Sequence, residues 1–215
     1  MASTESGGRR HRNMREKHRR IFVAAAELFA ERGFEGVTAQ EIADRADVAT
    51  GTLFRYAASK SELLLMVYNE QFRAALDEGE RSSRGLADTV DAVVAMVTPT
   101  VVLAGRTEEN GVRYQRELMF GSATEQYRGE GLALVARLEQ MIARRLSADS
   151  HQGGRDADQS STEAVLAGRT AFAIVHLAAV RASTSTDPGL DSAAELRQQL
   201  RQVILGYRES RTQKQ

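Results

Sequence analysis

The sequence predicts an all-α protein, and three observations carry that expectation. Apolar residues recur at three- and four-residue spacing through most of the 215-residue chain. Proline occurs only at Pro99 and Pro188, while Ala, Leu and Val abound. No segment alternates apolar and polar side chains as a half-buried strand would, and no internal repeat is present.

The elements follow in order. Residues 1–14 are poor in apolar side chains and rich in Gly, Ser and Arg, so a flexible basic arm is expected there. Such an arm reads as a phosphate contact, as an entry into a minor groove, or as a solvated tail. Ile21, Ala25, Leu28 and Phe29 mark a helix over Arg15–Arg32, which Gly33 stops. Phe34 and Val37 are core residues.

Thr38–Lys60, TAQEIADRADVATGTLFRYAASK, is the most informative stretch. Thr38 and Glu41 have capping-box spacing, and Ile42, Ala43 and Ala46 give the following short helix one apolar face. Asp47-Val48 fits a tight turn with Val48 buried. A second short helix over Thr50–Tyr56 points Leu53 inward and leaves Thr50, Thr52, Arg55 and Tyr56 outside. Gly51 lets backbone come close to phosphates, and the polar side chains suit base edges or phosphate oxygens. Two helices across a tight turn make either a helix-turn-helix with the second as reader or an ordinary helical pair.

Ser59 and Glu62 form a second capping box opening a helix to about Arg84, with Gly85 as a boundary. Leu86–Gly105 is an apolar helix that Pro99 should kink or break, a fit wall for a pocket and equally for plain core. Gly111–Phe120 is a short helix and Ala123–Leu146 a long one. Ser147–Ser161 is a polar mobile loop. Thr162–Ser183 and Asp191–Arg208 are the last helices, and a polar tail covers 209–215. The domain boundaries are thus 1–14, 15–60, 61–208 and 209–215. The first of the two long last helices carries a small-residue surface, Ala167, Gly168, Ala171, Ala178, Ala179 and Ala182, that suits close packing against another chain or within its own.

Composition excludes some chemistry. With no cysteine there are no disulfides, thiolate metal sites or Cys nucleophiles, which suits a cytoplasmic protein. His11, His18, His151 and His176 have no metal spacing, and no phosphate-binding loop, dinucleotide fingerprint or nucleophile elbow occurs. No catalytic residue, metal or cofactor is expected. The N-terminus lacks an apolar signal run, and Ala92–Gly105 is too short to span a bilayer. The chain is neutral overall, with 29 basic and 29 acidic side chains. Its first 20 residues, however, hold seven basic against two acidic, beside the expected reader.

From about Arg19 to Leu65 the sequence resembles the DNA-binding domain of the TetR family of bacterial transcriptional regulators. Ile21, Ala24, Ala25, Leu28, Phe29, Glu31, Gly33, Phe34, Val37, Thr38, Ile42, Ala43, Ala46, Val48, Gly51, Leu53, Phe54, Tyr56, Lys60 and Leu63 match in order. The resemblance implies DNA contacts at Thr38, Gly51, Thr52, Arg55, Tyr56 and Lys60, to which the outward-facing Thr50 is added. It also implies a homodimer through the last two helices and a helical domain holding a cavity for a small, largely apolar molecule. Candidates to line that cavity are Val97, Tyr114, Arg116, Glu117, Phe120, Tyr127, Phe172 and His176. His176 reads as a pocket anchor or as a core histidine bonded to a carbonyl. The sequence departs from the family at Ala49 (a helix cap is usual), Thr50 (a Lys is frequent), Ala57 (a Phe is usual) and Asp47 (a Gly is usual). The expected function is a repressor released from a near-palindromic operator by its ligand. The alternative is a helical ligand-binding or scaffold protein whose helix-turn-helix those departures have weakened.

Overall fold

A computed structural model describes residues 3–106, 108–122, 125–148, 157–182 and 192–212. Among them the chain is helical, with no strand: α1 Ser3–Arg32, α2 Ala39–Arg45, α3 Thr50–Leu53, α4 Lys60–Ser82, α5 Thr89–Gly105, α6 Glu108–Phe120, α7 Gln126–Ala148, α8 Ala157–Ala182 and α9 Ser192–Thr212. The all-α expectation is met.

The chain divides into two compact units. The first is Met1–Glu70 with Arg113–Gly131, and the second is Gln71–Val112 with Leu132–Gln215. The division falls inside α4, after Glu70. The start of α4 belongs with the first unit because Leu63, Leu64, Leu65 and Val67 are all buried there, and residues 113–131 join it through long-range polar contacts described below.

In the first unit α1 begins at Ser3, so residues 3–14 are not the expected irregular arm. Once Ile21, Ala25 and Leu28 anchor the helix in the core, each residue added upstream gains one backbone bond at little cost, and no proline interrupts it. Glu16 and Arg19 pair across one turn of this extension. The helix ends at Gly33, whose φ of 72° is open to glycine and strained for other residues. Phe29 and Phe34 stack beneath α2, with ring centroids 5.9 Å apart.

In the second unit α5 packs against α8 and α9, and α8 against α9. The inner faces are aliphatic or small: Val90, Val93 and Val97 on α5, Ala164, Ala171 and Val175 on α8, Leu200 and Ile204 on α9. Pro99 lies inside α5, which stays one helix from Thr89 to Gly105. The Asp88 carboxylate caps it by accepting from the Asp91 N–H, 2.9 Å. Gly79 of α4 meets α5 so closely that a Cβ would lie 1.9 Å from the Met96 carbonyl oxygen.

The polar segment expected over Ser147–Ser161 is shorter than that, since α7 runs to Ala148 and α8 starts at Ala157; the residues between lie outside those described. Likewise α9 continues to Thr212, into the expected tail. Thr162–Arg181 of α8 is long and apolar enough to cross a membrane by length and composition. Its stripe Ala164, Ala171, Val175 and Ala179 is buried in the second unit.

Candidate nucleic-acid interface

The reading segment is assembled by short-range contacts. The Thr38–Glu41 capping box forms in full: the Glu41 N–H donates to Thr38 Oγ1 at 3.2 Å, and the Thr38 N–H donates to Glu41 Oε2 at 2.8 Å. The turn between α2 and α3 places Asp47 at φ 52°, a left-handed conformation for a residue with a side chain. An ion pair offsets that strain, with Arg20 Nη1 2.7 Å from Asp47 Oδ2. Val48 is half-buried and so less enclosed than expected. Leu53 is fully buried and pins α3 to the core. The helical part of the reader is only Thr50–Leu53, followed by turns through Tyr56. As the sequence predicts, Ala49 makes no side-chain cap on α3.

The seven expected DNA contacts separate into two groups. Gly51, Thr52 and Arg55 hold no side-chain partner among the described residues. Gly51 and Arg55 are exposed, Thr52 is half-buried, and a Cβ at Gly51 would meet nothing within 4 Å. The other four are engaged inside the unit. Thr38 donates its hydroxyl to Glu41. Thr50 donates to Gln40, whose amide in turn donates to Asp44 at 2.7 Å. The Tyr56 hydroxyl donates to the Met14 carbonyl at 3.3 Å, and its ring lies 6.0 Å from that of His18. Lys60 donates to the carbonyls of Phe34 and Val37, both at 2.9 Å, with its Nζ 4.1 Å above the Phe34 ring. Its ammonium staples the loop before α2.

Two residues escaped the sequence reading. Phe54 is 44% exposed beside the buried Leu53, an apolar surface on the reading turn. Gln40 ties α2 to α3 through Thr50. The helical period offered both signals, because a residue next to an inward Leu, or two before an inward Ile42, must face outward.

The first unit also contains a buried polar network. The Glu62 carboxylate, 3% exposed, accepts from the backbone N–H groups of Tyr127 at 3.0 Å and Arg128 at 3.3 Å, at the start of α7. Burial pushes its pKa up, against the pull of those two bonds and with repulsion from Glu125 adding to it. This corrects the second capping box. Ser59 does accept from the Glu62 N–H at 3.0 Å, but the Glu62 side chain serves α7 and does not turn back to the cap. Asn69, 2% exposed, donates to the Tyr127 carbonyl at 2.7 Å and accepts from the Tyr114 hydroxyl at 2.9 Å. The Tyr127 hydroxyl lies 3.2 Å from His18 Nε2. Burial raises both phenols, Tyr127 to about 12.

The candidate ligand residues are therefore spread over different roles. Tyr114 and Tyr127 belong to this network. Glu117 pairs with Arg113 at 2.9 Å, Arg116 is exposed, and Phe120 is 86% exposed. In the second unit Val97 is fully buried in the α5 core. Phe172 and His176 lie together on α8 with rings 5.9 Å apart, and burial lowers the His176 pKa.

Residues 21–67 match the family model described as bacterial regulatory proteins, tetR family. Those residues are the last part of α1, the two short helices and the start of α4. This segment is a TetR-family domain. It is 39% identical over 69 residues to the transcriptional repressor KstR of Mycobacterium tuberculosis, covering 32% of this chain and 31% of that one. It is 34% identical over 102 residues to the transcriptional regulator TcmR of Streptomyces glaucescens, covering 44% of this chain and 45% of that one. The match thus spans less than half the length of either curated relative. Across nearly the whole fold it is similar to the crystal structure of Thermus thermophilus FadR, a TetR-family transcriptional repressor in complex with lauroyl-CoA. That likeness has a TM-score of 0.66 and 29% identity over 86% of this chain and 92% of the other. These TetR-family relatives are transcriptional regulators.

Proposed function

We propose that this chain is a cytoplasmic, ligand-responsive regulator: a homodimeric repressor that leaves a near-palindromic operator when a small, largely apolar molecule binds its second unit. The observation that carries the DNA half is the short turn presenting Gly51, Thr52, Phe54 and Arg55 with their outer atoms unengaged, mounted on the fully buried Leu53. Arg55 supplies a forked donor for base edges or phosphates, and Gly51 admits close backbone approach. Two copies related by a two-fold axis would set two such turns one helical repeat apart, about 34–36 Å. Support for the dimer comes from α8 and α9, which leave Leu166, Ala173, Leu177 and Leu205 exposed in the single chain.

The similarity to the Thermus repressor bound to lauroyl-CoA makes a fatty acyl thioester the first effector class to test. The helices α4, α6 and α7 have residues in both units, so a ligand that moves any of them changes the frame on which the reader is held. A ligand shifts the equilibrium only by its preference for the DNA-free form, typically about 1–3 kcal/mol of coupling.

Fluorescence anisotropy tests the reading. The probes are a duplex from upstream of the chain's own gene and a random duplex of equal length, with and without lauroyl-CoA. Tighter binding to the first duplex, lost on adding lauroyl-CoA, is expected. Equal binding to both duplexes would reject sequence-specific regulation, and an unmoved affinity would reject the acyl-thioester effector.

A further inference from the structure

We propose that the N-terminal extension of α1 is a second DNA-contacting element, a rigid ridge whose Arg12 and Arg15 bind backbone phosphates of the duplex that the reader engages. The inference rests on the proposed DNA-binding function and adds a surface to it.

Two arginines of this stretch are already paired. Arg19 is committed to Glu16, at 2.6 Å, and Arg20 to Asp47. Arg12 and Arg15 are exposed and have no partner among the described residues. Their guanidinium groups are therefore open to an external anion. Their direction is fixed by the fold. Arg12, Arg15 and His18 stand three residues apart and form one slanted ridge of the helix. The His18 ring packs near Tyr56, and Tyr56 donates its hydroxyl to the Met14 carbonyl. The ridge is therefore attached to the far end of the reading turn. With 1.5 Å of rise per residue, Arg12 and Arg15 sit within about 3 Å along the axis of the residue Tyr56 grips. Where Tyr56 lies beside a duplex, this stretch of α1 would lie beside the same backbone.

Helical form also decides between two modes. A flexible arm can enter a minor groove, but an α-helix with side chains is about 10–12 Å across and the minor groove is about 6 Å wide. An extension helical from Ser3 therefore rides over the phosphates. Its contribution is charge, without base readout.

The test measures the salt dependence of binding to the own-gene duplex and to a random duplex, from about 50 to 200 mM salt. It compares wild type with R12A/R15A, with R12K/R15K and with R106A/R144A, which removes two exposed charges from the second unit. Each phosphate contact adds about 0.9 to the slope of log affinity against log salt. R12A/R15A should lower the slope by about 2 per bound chain on both duplexes, leaving the preference between them and the melting temperature unchanged. R12K/R15K should restore most of the slope, and R106A/R144A should leave it alone. An unchanged slope in R12A/R15A, or a loss that R106A/R144A reproduces, overturns the inference while the DNA-binding reading stands. A loss confined to the own-gene duplex overturns it too, since that is base readout. If wild type binds neither duplex, the reading itself has failed and the extension with it.

Discussion

The start of α7 in the first unit and the α5–α8–α9 packing in the second bury their surfaces by opposite means. Around Tyr127, contact is made by directed bonds: Glu62 accepts two backbone N–H groups, and Asn69 bridges a carbonyl and a phenol. Among α5, α8 and α9 most of the buried surface is valine, alanine and leucine, with single bonds between side chains of neighbouring helices: Arg208 donates to Thr89 at 3.0 Å, Arg181 pairs with Glu195 at 2.9 Å, and Arg197 pairs with Asp91. An aliphatic interface is non-directional, so its register is set mainly by the interlocking shapes of its side chains. A buried polar network allows one register, because any shift strands its donors and acceptors. The unit that carries the reader is thus built to hold one geometry. The unit proposed to take the effector relies more on side-chain shape.

The largest test of this contrast substitutes one buried residue in each region. Asn69→Leu nearly preserves volume but leaves the Tyr127 carbonyl and the Tyr114 hydroxyl without their partner. At about 1–3 kcal/mol for each stranded group, the loss should be about 2–6 kcal/mol by denaturant unfolding. Leu200→Met, also volume-conserving and at a fully buried site of α9, should cost less than about 1.5 kcal/mol. Equal costs would mean that the network does not specify the first unit.

The sequence made the local part of this legible and left the rest hidden. Periodicity placed Ile21, Leu28, Ile42, Leu53 and Leu200 in the core, and cap spacing placed the Thr38 box, because these depend on neighbours within one or two turns. The Ser59 box was misread for the same reason. The motif is local, but its glutamate had a stronger partner 65 residues away. One signal was visible. Glu62 and Asn69 are seven residues apart at the ends of ELLLMVYN, polar side chains on one stripe of an otherwise apolar run, and such a pair calls for buried partners. The reader's contact list shrank on a similar ground. Thr50 and Lys60 are polar and near the DNA-facing end, but the nearest carbonyl or amide claims them first. The ligand candidates failed to converge because periodicity says only that a side chain faces inward, not which unit encloses it.

A smaller test stays inside the network. Glu62→Gln keeps an acceptor at the start of α7 but removes its charge, so weaker bonds to the two N–H groups are set against relief of the desolvation cost. The net change at neutral pH should stay below about 1 kcal/mol, with reduced hydrogen-exchange protection of the Tyr127 and Arg128 amides. Unaltered protection would show that α7 is held there by other contacts. Gly51→Ala then separates stability from function within the same unit. The added methyl meets nothing in the protein and replaces a helical glycine, so stability should rise by about 0.5–1 kcal/mol. Operator affinity should fall, by about tenfold for each 1.4 kcal/mol of lost approach. A variant both more stable and equally tight on DNA would remove Gly51 from the interface.

The mildest effect comes from pH, and two carboxylates of the first unit should respond with opposite signs. The Thr38 hydroxyl, foremost, and then Arg32 hold the Glu41 carboxyl down at about 2, below its ordinary 4.5. Between those values the unfolded chain takes up a proton that the folded chain refuses, so this contribution is full above pH 4.5 and fades as pH falls towards 2. Glu62 is shifted upward by burial, so its contribution is full below pH 4.5 and fades as pH rises through the folded value. Melting temperatures of wild type, E41Q and E62Q from pH 2.5 to 7 check this. The gap between wild type and E41Q should close towards acid, while the penalty of burying the Glu62 charge should make the E62Q gap smaller at neutral pH than at pH 4. Gaps that run parallel would mean that the exposed cap and the buried carboxylate feel the same surroundings, which their positions on α2 and α4 deny.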